Sequence, residues 1–248
     1  MKMTPFHSLD YILKGGLPVG DQILVSGPPG SGKSILSMRF IYEGIQAGEK
    51  GVFFTLDSER EYLIDQMKGA GIDAEKLIAE GKMDIVELDP SDVYVLLDEM
   101  EAHVNRLGAK RIVLDSLSIL YVYCGAYKSL PEDLISFLEK TQLTPPVSMG
   151  SSIKKQMLYT VMTRIRHFGC TSLLVSELSR NSRWFSRDTV SEFACDGIIL
   201  LDYHILGAAG VTRTVSVVKM RKMDYREGVH EFRITGNGIE VQIDEPSA

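Results

Sequence analysis

The chain has 248 residues, a net charge of −6, 44% hydrophobic and 24% charged residues, and no apolar run near the ~18 residues that a bilayer span needs. A chain this long buries a substantial core without disulfides or metal. Its acidic balance argues against a coat of nucleic acid, though it leaves room for a local basic patch. The opening residues carry no signal-peptide core, and Cys124, Cys170 and Cys195 are odd in number and follow no metal-ligand spacing. Zinc is therefore set aside, no membrane is expected, and the thiols read as reduced residues of a cytoplasmic protein.

In chain order, a lead-in over 1–20 precedes a short buried strand over 22–26. The strand runs into Gly27-Pro28-Pro29-Gly30-Ser31-Gly32-Lys33-Ser34, and a helix over 34–46 follows, with Ile35 in its first turn. A loop that closes on a triphosphate brings backbone N–H groups against phosphate oxygens, and Gly27, Gly30 and Gly32 permit that approach. Lys33 can then reach the β- and γ-phosphates and the Ser34 hydroxyl can bind Mg²⁺. Strand, glycine loop and helix are the setting this motif requires, so the chain is expected to bind a nucleotide.

Beyond the loop, strands are expected over 51–56, 83–88, 111–114, 171–176 and 197–203, and helices over 59–68, 92–107, 131–141 and 152–168. This alternation predicts an α/β fold with a mostly parallel central sheet flanked by helices. After residue 203 the pattern becomes antiparallel, with strands over 212–221, 230–235 and 239–243 and an Asn237-Gly238 hairpin signal. The expected organisation is one domain over 1–248: a lead-in, a nucleotide-binding core over 21–203 and a C-terminal antiparallel extension over 204–248.

Hydrolysis of a triphosphate needs a second magnesium contact and a group that orients the attacking water. Arg111-Ile-Val-Leu-Asp115 is an apolar strand ending in a carboxylate, so Asp115 would hold magnesium beside Ser34; the plainer role is capping the next turn. Asp57 and Glu59 both follow the strand over 51–56, and both are candidates for the water-orienting acid. A plainer reading has Ser58 and Glu61 forming a capping box, with Glu59 a first-turn acid favoured by the helix dipole. Lys219 and Arg221 share a strand face and could neutralise charge on a γ-phosphate, although basic pairs on strands are usually solvated.

The assembled residues resemble the KaiC branch of the RecA-like ATPases over nearly the whole chain. The resemblance runs from Leu9-Asp10-Tyr-Ile-Leu-Lys-Gly15-Gly16-Leu17-Pro18-Val-Gly20 through the phosphate loop, Gly51-Val-Phe-Phe-Thr55 and Ile112-Val-Leu-Asp-Ser116. It continues in Glu192-Phe-Ala-Cys-Asp196-Gly197, Val218-Lys-Met-Arg-Lys222 and Phe232-Arg-Ile-Thr-Gly-Asn-Gly238. It implies a RecA-like P-loop NTPase fold and a homo-oligomeric ring, commonly a hexamer, with Mg-ATP or ADP between subunits. It also implies that Lys219 and Arg221 reach the neighbouring subunit's γ-phosphate, which outweighs the solvated-face reading. Where KaiC carries paired glutamates this chain reads Asp57-Ser58, whereas the RecA and RadA pattern would nominate Glu59. Slow ATP hydrolysis is the expected activity. No counterpart of the clock kinase's tandem Ser-Thr site is present, so no autokinase role is inherited.

Two long connections complete the reading. Residues 123–151 and 179–188 correspond in position to the DNA-binding loops of RecA-like recombinases. Arg180, Arg183 and Arg187, with Trp184 and Phe185, combine cations and aromatic faces as single-stranded nucleic acid requires. The alternative function is thus a recombinase paralogue that binds single-stranded DNA with ATP as a switch. The plainer reading packs the aromatics against a neighbouring subunit.

Overall fold

The computed structural model describes residues 2–123, 147–179, 182–205, 210–236 and 238–242. Near-continuous apolar runs form strands buried on both faces, and these pair in parallel. They are β3 (Gln22–Gly27), β4 (Gly51–Thr55), β5 (Met83–Glu87), β6 (Arg111–Asp115), β7 (Thr171–Glu177) and β8 (Gly197–Ile205). The antiparallel β9 (Val211–Met220), β10 (His230–Thr235) and β11 (Gly238–Val241) extend the sheet beyond β8. The order of the resulting nine-stranded sheet is β11-β10-β9-β8-β3-β7-β6-β4-β5. A separate ribbon pairs β1 (Met3–Thr4) with β2 (Leu17–Pro18).

Period-two alternation divides the core into two layers. Ile23, Val25, Phe53 and Val113 face one side of the sheet, where α2 (Lys33–Gln46), α3 (Arg60–Gly69), α4 (Ala74–Ala79) and the N-terminal α1 (Asp10–Leu13) pack. Leu24, Val52, Phe54, Ile112 and Leu114 face the other side. They meet α5 (Val93–Leu107), α6 (Leu117–Tyr123) and α7 (Val147–His167). A short α8 (Ser191–Ala194) leads into β8. Helix α5 starts at Asp92, whose carboxylate accepts from Tyr94 and Val95 N–H at 3.0 and 3.2 Å, and ends at Gly108, in the left-handed region.

The expected strands are all present to within two residues, and the C-terminal extension is antiparallel as anticipated. Helix α7 begins at Val147, five residues before its expected start, whereas the helix expected over 131–141 and Asn237 of the hairpin lie outside the described residues. The β1–β2 ribbon, α4, α6 and α8 were not anticipated. The Ser58–Glu61 capping box does not form. Helix α3 begins after Glu59 without a side-chain cap, the Ser58 hydroxyl donates to Asp57 at 3.2 Å, and Glu87 accepts the Arg60 N–H at 2.7 Å. Glu87, at the end of β5, takes the place that a capping box would have given to Ser58. Cys170 and Cys195 are buried free thiols, and burial pushes Cys170 up to about 11. Cys124 lies outside the described residues.

Arg111 is fully buried at the start of β6 and joins the N-terminal ribbon to the core. Its guanidinium donates to Glu49 at 2.6 Å, to the Phe40 carbonyl at 2.7 Å, to the Pro5 carbonyl at 2.7 Å, and to the Thr4 hydroxyl. Gly44 leaves the space it occupies, because a Cβ there would collide with the Arg111 side chain. Arg111→Met strands a carboxylate and two buried carbonyls, so it should lower stability by about 3 kcal/mol. The measurement is the urea midpoint at unchanged slope. An unmoved midpoint would mean that packing alone holds the ribbon.

Candidate functional site

The parallel register fixes what meets at the C-terminal edge of the sheet. Gly27 ends β3 opposite Glu177 of β7, and Asp115 ends β6 opposite Thr55 of β4. Gly27 admits no side chain, because a Cβ would strike the Leu201 carbonyl, and Gly30 and Gly32 hold the left-handed conformations that turn the chain into α2. The loop therefore aims its N–H groups and the α2 N-terminus at one cleft of about 460 Å³. Pro29, Gly30, Gly32, Lys33, Ser34 and Ile35 line it from the loop side. Pro28 instead turns its carbonyl to Lys33, and Ser31 is buried with an unpartnered hydroxyl among the described residues.

Lys33 folds back to donate to the Gly27 and Pro28 carbonyls, both at 3.0 Å. Burial pushes its ammonium below the usual lysine range, against the pull of Glu177 and Asp115. The Ser34 hydroxyl donates to Asp115 at 2.9 Å, so the two proposed magnesium ligands already touch. Burial raises Asp115 from 3.8 to about 6; the Ser34 hydroxyl opposes this, and the Asp57 charge adds to it. Among the described residues no three His, Cys, Asp or Glu side chains could hold a metal by themselves. A hydroxyl beside one carboxylate instead suits magnesium, which keeps waters and shares ligands with phosphates.

Of the two candidate acids, Asp57 lines the cleft with Ser58, while Glu59 is exposed at the start of α3 and does not line it. Two charged residues missed in the sequence also line it, Glu177 and Arg213. Glu177 carried a readable signal, since Thr171-Ser-Leu-Leu-Val-Ser-Glu177 is, like the stretch ending at Asp115, an apolar strand closed by an acid. Arg213, whose Nε donates to the Gly30 carbonyl at 3.5 Å, had none, because its position depends on the pairing of β9 with β8 and β10.

Lys219 and Arg221 are not brought to this cleft. Lys219 pairs with Ile198, which lies level with Leu24, three residues before Gly27. At ~3.3 Å per residue that is about 10 Å down the strand, on the opposite edge of the sheet. There Lys219 donates to the carbonyls of Glu192 and Cys195 at 3.0 and 2.6 Å, and Arg221 donates to that of Phe193 at 3.3 Å.

The loop over 182–190 packs beside Pro28. Glu192 accepts from the Phe185 and Ser186 N–H groups at 2.6 and 2.9 Å, Asp188 caps α8, and the Ser26 hydroxyl donates to the Phe185 carbonyl. Trp184 is 52% exposed and Arg183 and Arg187 are exposed, while Phe185 packs against the core. The two aromatics therefore do not form one platform. Arg180 lies outside the described residues, as does 124–146 of the other long connection.

A parallel sheet with a phosphate loop, an acid-ended neighbouring strand and an antiparallel extension defines a RecA-like P-loop nucleotide-binding protein. A family model described as "ATPase: KaiC" matches residues 3–146 and 143–246. The chain belongs to the KaiC ATPase family, and membership carries nucleotide binding with it. It is 33% identical to a UPF0273 protein of Saccharolobus solfataricus, over 98% of this chain and 82% of that one. The circadian clock oscillator protein KaiC of Synechococcus elongatus is 26% identical over 96% of this chain, which spans only 43% of that protein's length. The solved KaiC-like protein of Pyrococcus horikoshii superposes with a TM-score of 0.79 at 27% identity, covering 98% of this chain and 99% of that one. Among the described residues no helix is long and apolar enough to cross a membrane.

The raised Asp115 carboxyl sets a sign for stability. Its folded-state value lies above the unfolded one, so its contribution is complete below pH ~4 and is lost as the pH rises through about 6. At pH 8 without nucleotide, Asp115→Asn should therefore raise stability, by up to roughly 3 kcal/mol. The same change should weaken the additional stabilisation by Mg-ATP. Thermal unfolding with and without Mg-ATP reads both effects, and a destabilised apo variant would contradict the account.

Proposed function

We propose that the chain hydrolyses Mg-ATP slowly at the interfaces of a homo-oligomeric ring, six copies by its resemblance to KaiC. The carrying observation is the placement of Lys219 and Arg221 about 10 Å down the strands from their own phosphate loop, on the opposite edge. Cations held there at the carbonyls of Glu192, Phe193 and Cys195 are turned away from their own loop, and a head-to-tail ring brings unlike edges together.

Within one copy the loop N–H groups and Lys33 bind and orient the phosphates. Ser34 and Asp115 would hold magnesium, which when bound neutralises charge on the β- and γ-phosphates. Asp57 orients the attacking water, favoured over Glu59 by its place in the cleft. Its exposure and the serine that follows support a slow reaction. Burial lowers the Lys33 ammonium, and the neighbouring Glu177 charge opposes that lowering. Lys219 and Arg221 of the next copy meet the charge that develops as the terminal phosphoryl group leaves.

The second reading, single-stranded DNA binding with ATP as a switch, is favoured by exposed Trp184 between Arg183 and Arg187, and by the Ser26–Phe185 link from that loop to β3. Inward packing of Phe185 weighs against it, because a single aromatic remains for stacking.

Arg221→Ala should lower turnover by about a hundredfold or more while sparing ATP binding. Mixed in equal amounts with Lys33→Ala, it should regain activity at about a quarter of randomly assembled interfaces, since a sound loop then meets a sound arginine. A mixture as inactive as its parts would remove the shared site. Phosphate release that instead rises sharply with single-stranded DNA, and loses that rise in Trp184→Ala, would favour the second reading. For the water-orienting acid, Asp57→Asn should lower kcat by about a hundredfold and Glu59→Gln by less than about threefold. The reverse order would restore Glu59.

A further inference from the structure

Asp196 precedes β8 on the edge away from the phosphate loop and is almost wholly buried. One of its oxygens accepts the Gln22 N–H at 3.1 Å and an Arg166 N–H at 2.7 Å. Its other oxygen lies 3.7 Å from the Arg221 guanidinium. Burial alone would raise this carboxyl, but the Gln22 N–H and Arg166, with Lys222 behind them, hold it below the usual range, so it stays charged. Asp196, Arg166 and Arg221 border an open cleft of about 550 Å³ between α7, α8 and the end of β9. Gln22 also lines it, buried and with its carbonyl oxygen unpartnered among the described residues.

The two guanidiniums share Asp196 unequally. Arg166 takes the tight contact and adds a second hydrogen bond to the Ala194 carbonyl at 3.2 Å. Arg221 is left with a loose ion pair and one carbonyl contact at 3.3 Å, and its side chain is 52% exposed. A lone carboxylate beside a lone arginine would close into a tight pair and withdraw that arginine from any other anion. Here the carboxylate is already engaged. It directs Arg221 without consuming its charge.

We infer that Asp196 and Arg166 together are positioning residues for Arg221: the carboxylate aims the arginine outward at a neighbouring copy's nucleotide, and Arg166 keeps that carboxylate from locking it down. This rests on the shared-site reading above. Neither residue touches nucleotide, and both act through Arg221.

The test is a double-mutant comparison on the full chain, with ATP turnover, KM and Mg-ATP affinity measured for each variant. Asp196→Asn and Arg166→Gln should each lower kcat by about tenfold with KM and affinity unchanged. In an Arg221→Ala background, neither should lower it further by more than about twofold. Losses that multiply with that of Arg221→Ala would overturn the inference, as would full turnover in both single variants beside an impaired Arg221→Ala. Arg166→Gln truncates a half-exposed side chain and leaves Asp196 in place, so it serves if Asp196→Asn fails to fold. Full turnover in Arg221→Ala, or none in the unaltered chain, would overturn the shared-site reading and this inference with it.

Discussion

A parallel sheet has two unlike edges, and this protein's chemistry depends on that polarity. Each core strand runs the same way, so the strand ends collect on one side, where Gly27, Asp115 and Glu177 stand close together. The α2 N-terminus opens toward the same side, adding its partial positive charge to that of Lys33. The phosphate-loop backbone and the carboxylates proposed to hold magnesium thus share one cleft without any long-range folding device beyond strand direction. The strand starts collect on the opposite edge, and with them Asp196, which precedes β8.

The antiparallel extension links the two edges. Strand β9 returns along β8 and carries Arg213 beside the phosphate loop at one end and Lys219 at the other. Six residues of strand separate them by about 20 Å, so one rigid element borders both a copy's own cleft and the edge proposed to meet a neighbour. The Ile198/Ile199 register shift lies between these ends. Val215 and Val217 pack on one face, yet Met220 joins that same face, so the phase of β9 flips after Val217. Strict alternation would have put Lys219 in the hydrophobic layer with Val217. The irregularity turns it instead toward the α8 carbonyls, as bulges commonly re-aim a side chain.

Most of the core was legible because its signals are local. Apolar runs such as Arg111-Ile-Val-Leu-Asp115 declare buried strands, and the glycine spacing from Gly27 to Gly32 declares the phosphate loop. The Asp115 contact with Ser34 followed from where an acid must fall at the end of such a strand. What stayed hidden depends on pairing between distant segments. The register that takes Lys219 and Arg221 away from their own loop, the place of Arg213 beside Gly30, and the replacement of a capping box by Glu87 all arise between residues far apart in sequence. The choice between Asp57 and Glu59 was undecided for a related reason. Both positions lie in the turn between β4 and α3, where neither strand nor helix periodicity says which side chain faces the cleft.

The cleft is electrostatically incomplete in the chain by itself. Three carboxylates, Asp57, Asp115 and Glu177, share it with two cations, Lys33 and Arg213, and burial first, then the acidic neighbours, raise the Asp115 carboxyl to about 6. No packing consideration asks for three carboxylates at the end of a hydrophobic sheet. A divalent cation and the N–H cradle around a triphosphate would relieve the repulsion, so the native state is built to be stabilised by what it binds. On the far edge Lys219 turns to the carbonyls of Glu192 and Cys195, while Arg221 stays half-exposed beside Asp196. The proposed shared site would bring those cations to the acidic cleft of a second copy set head to tail.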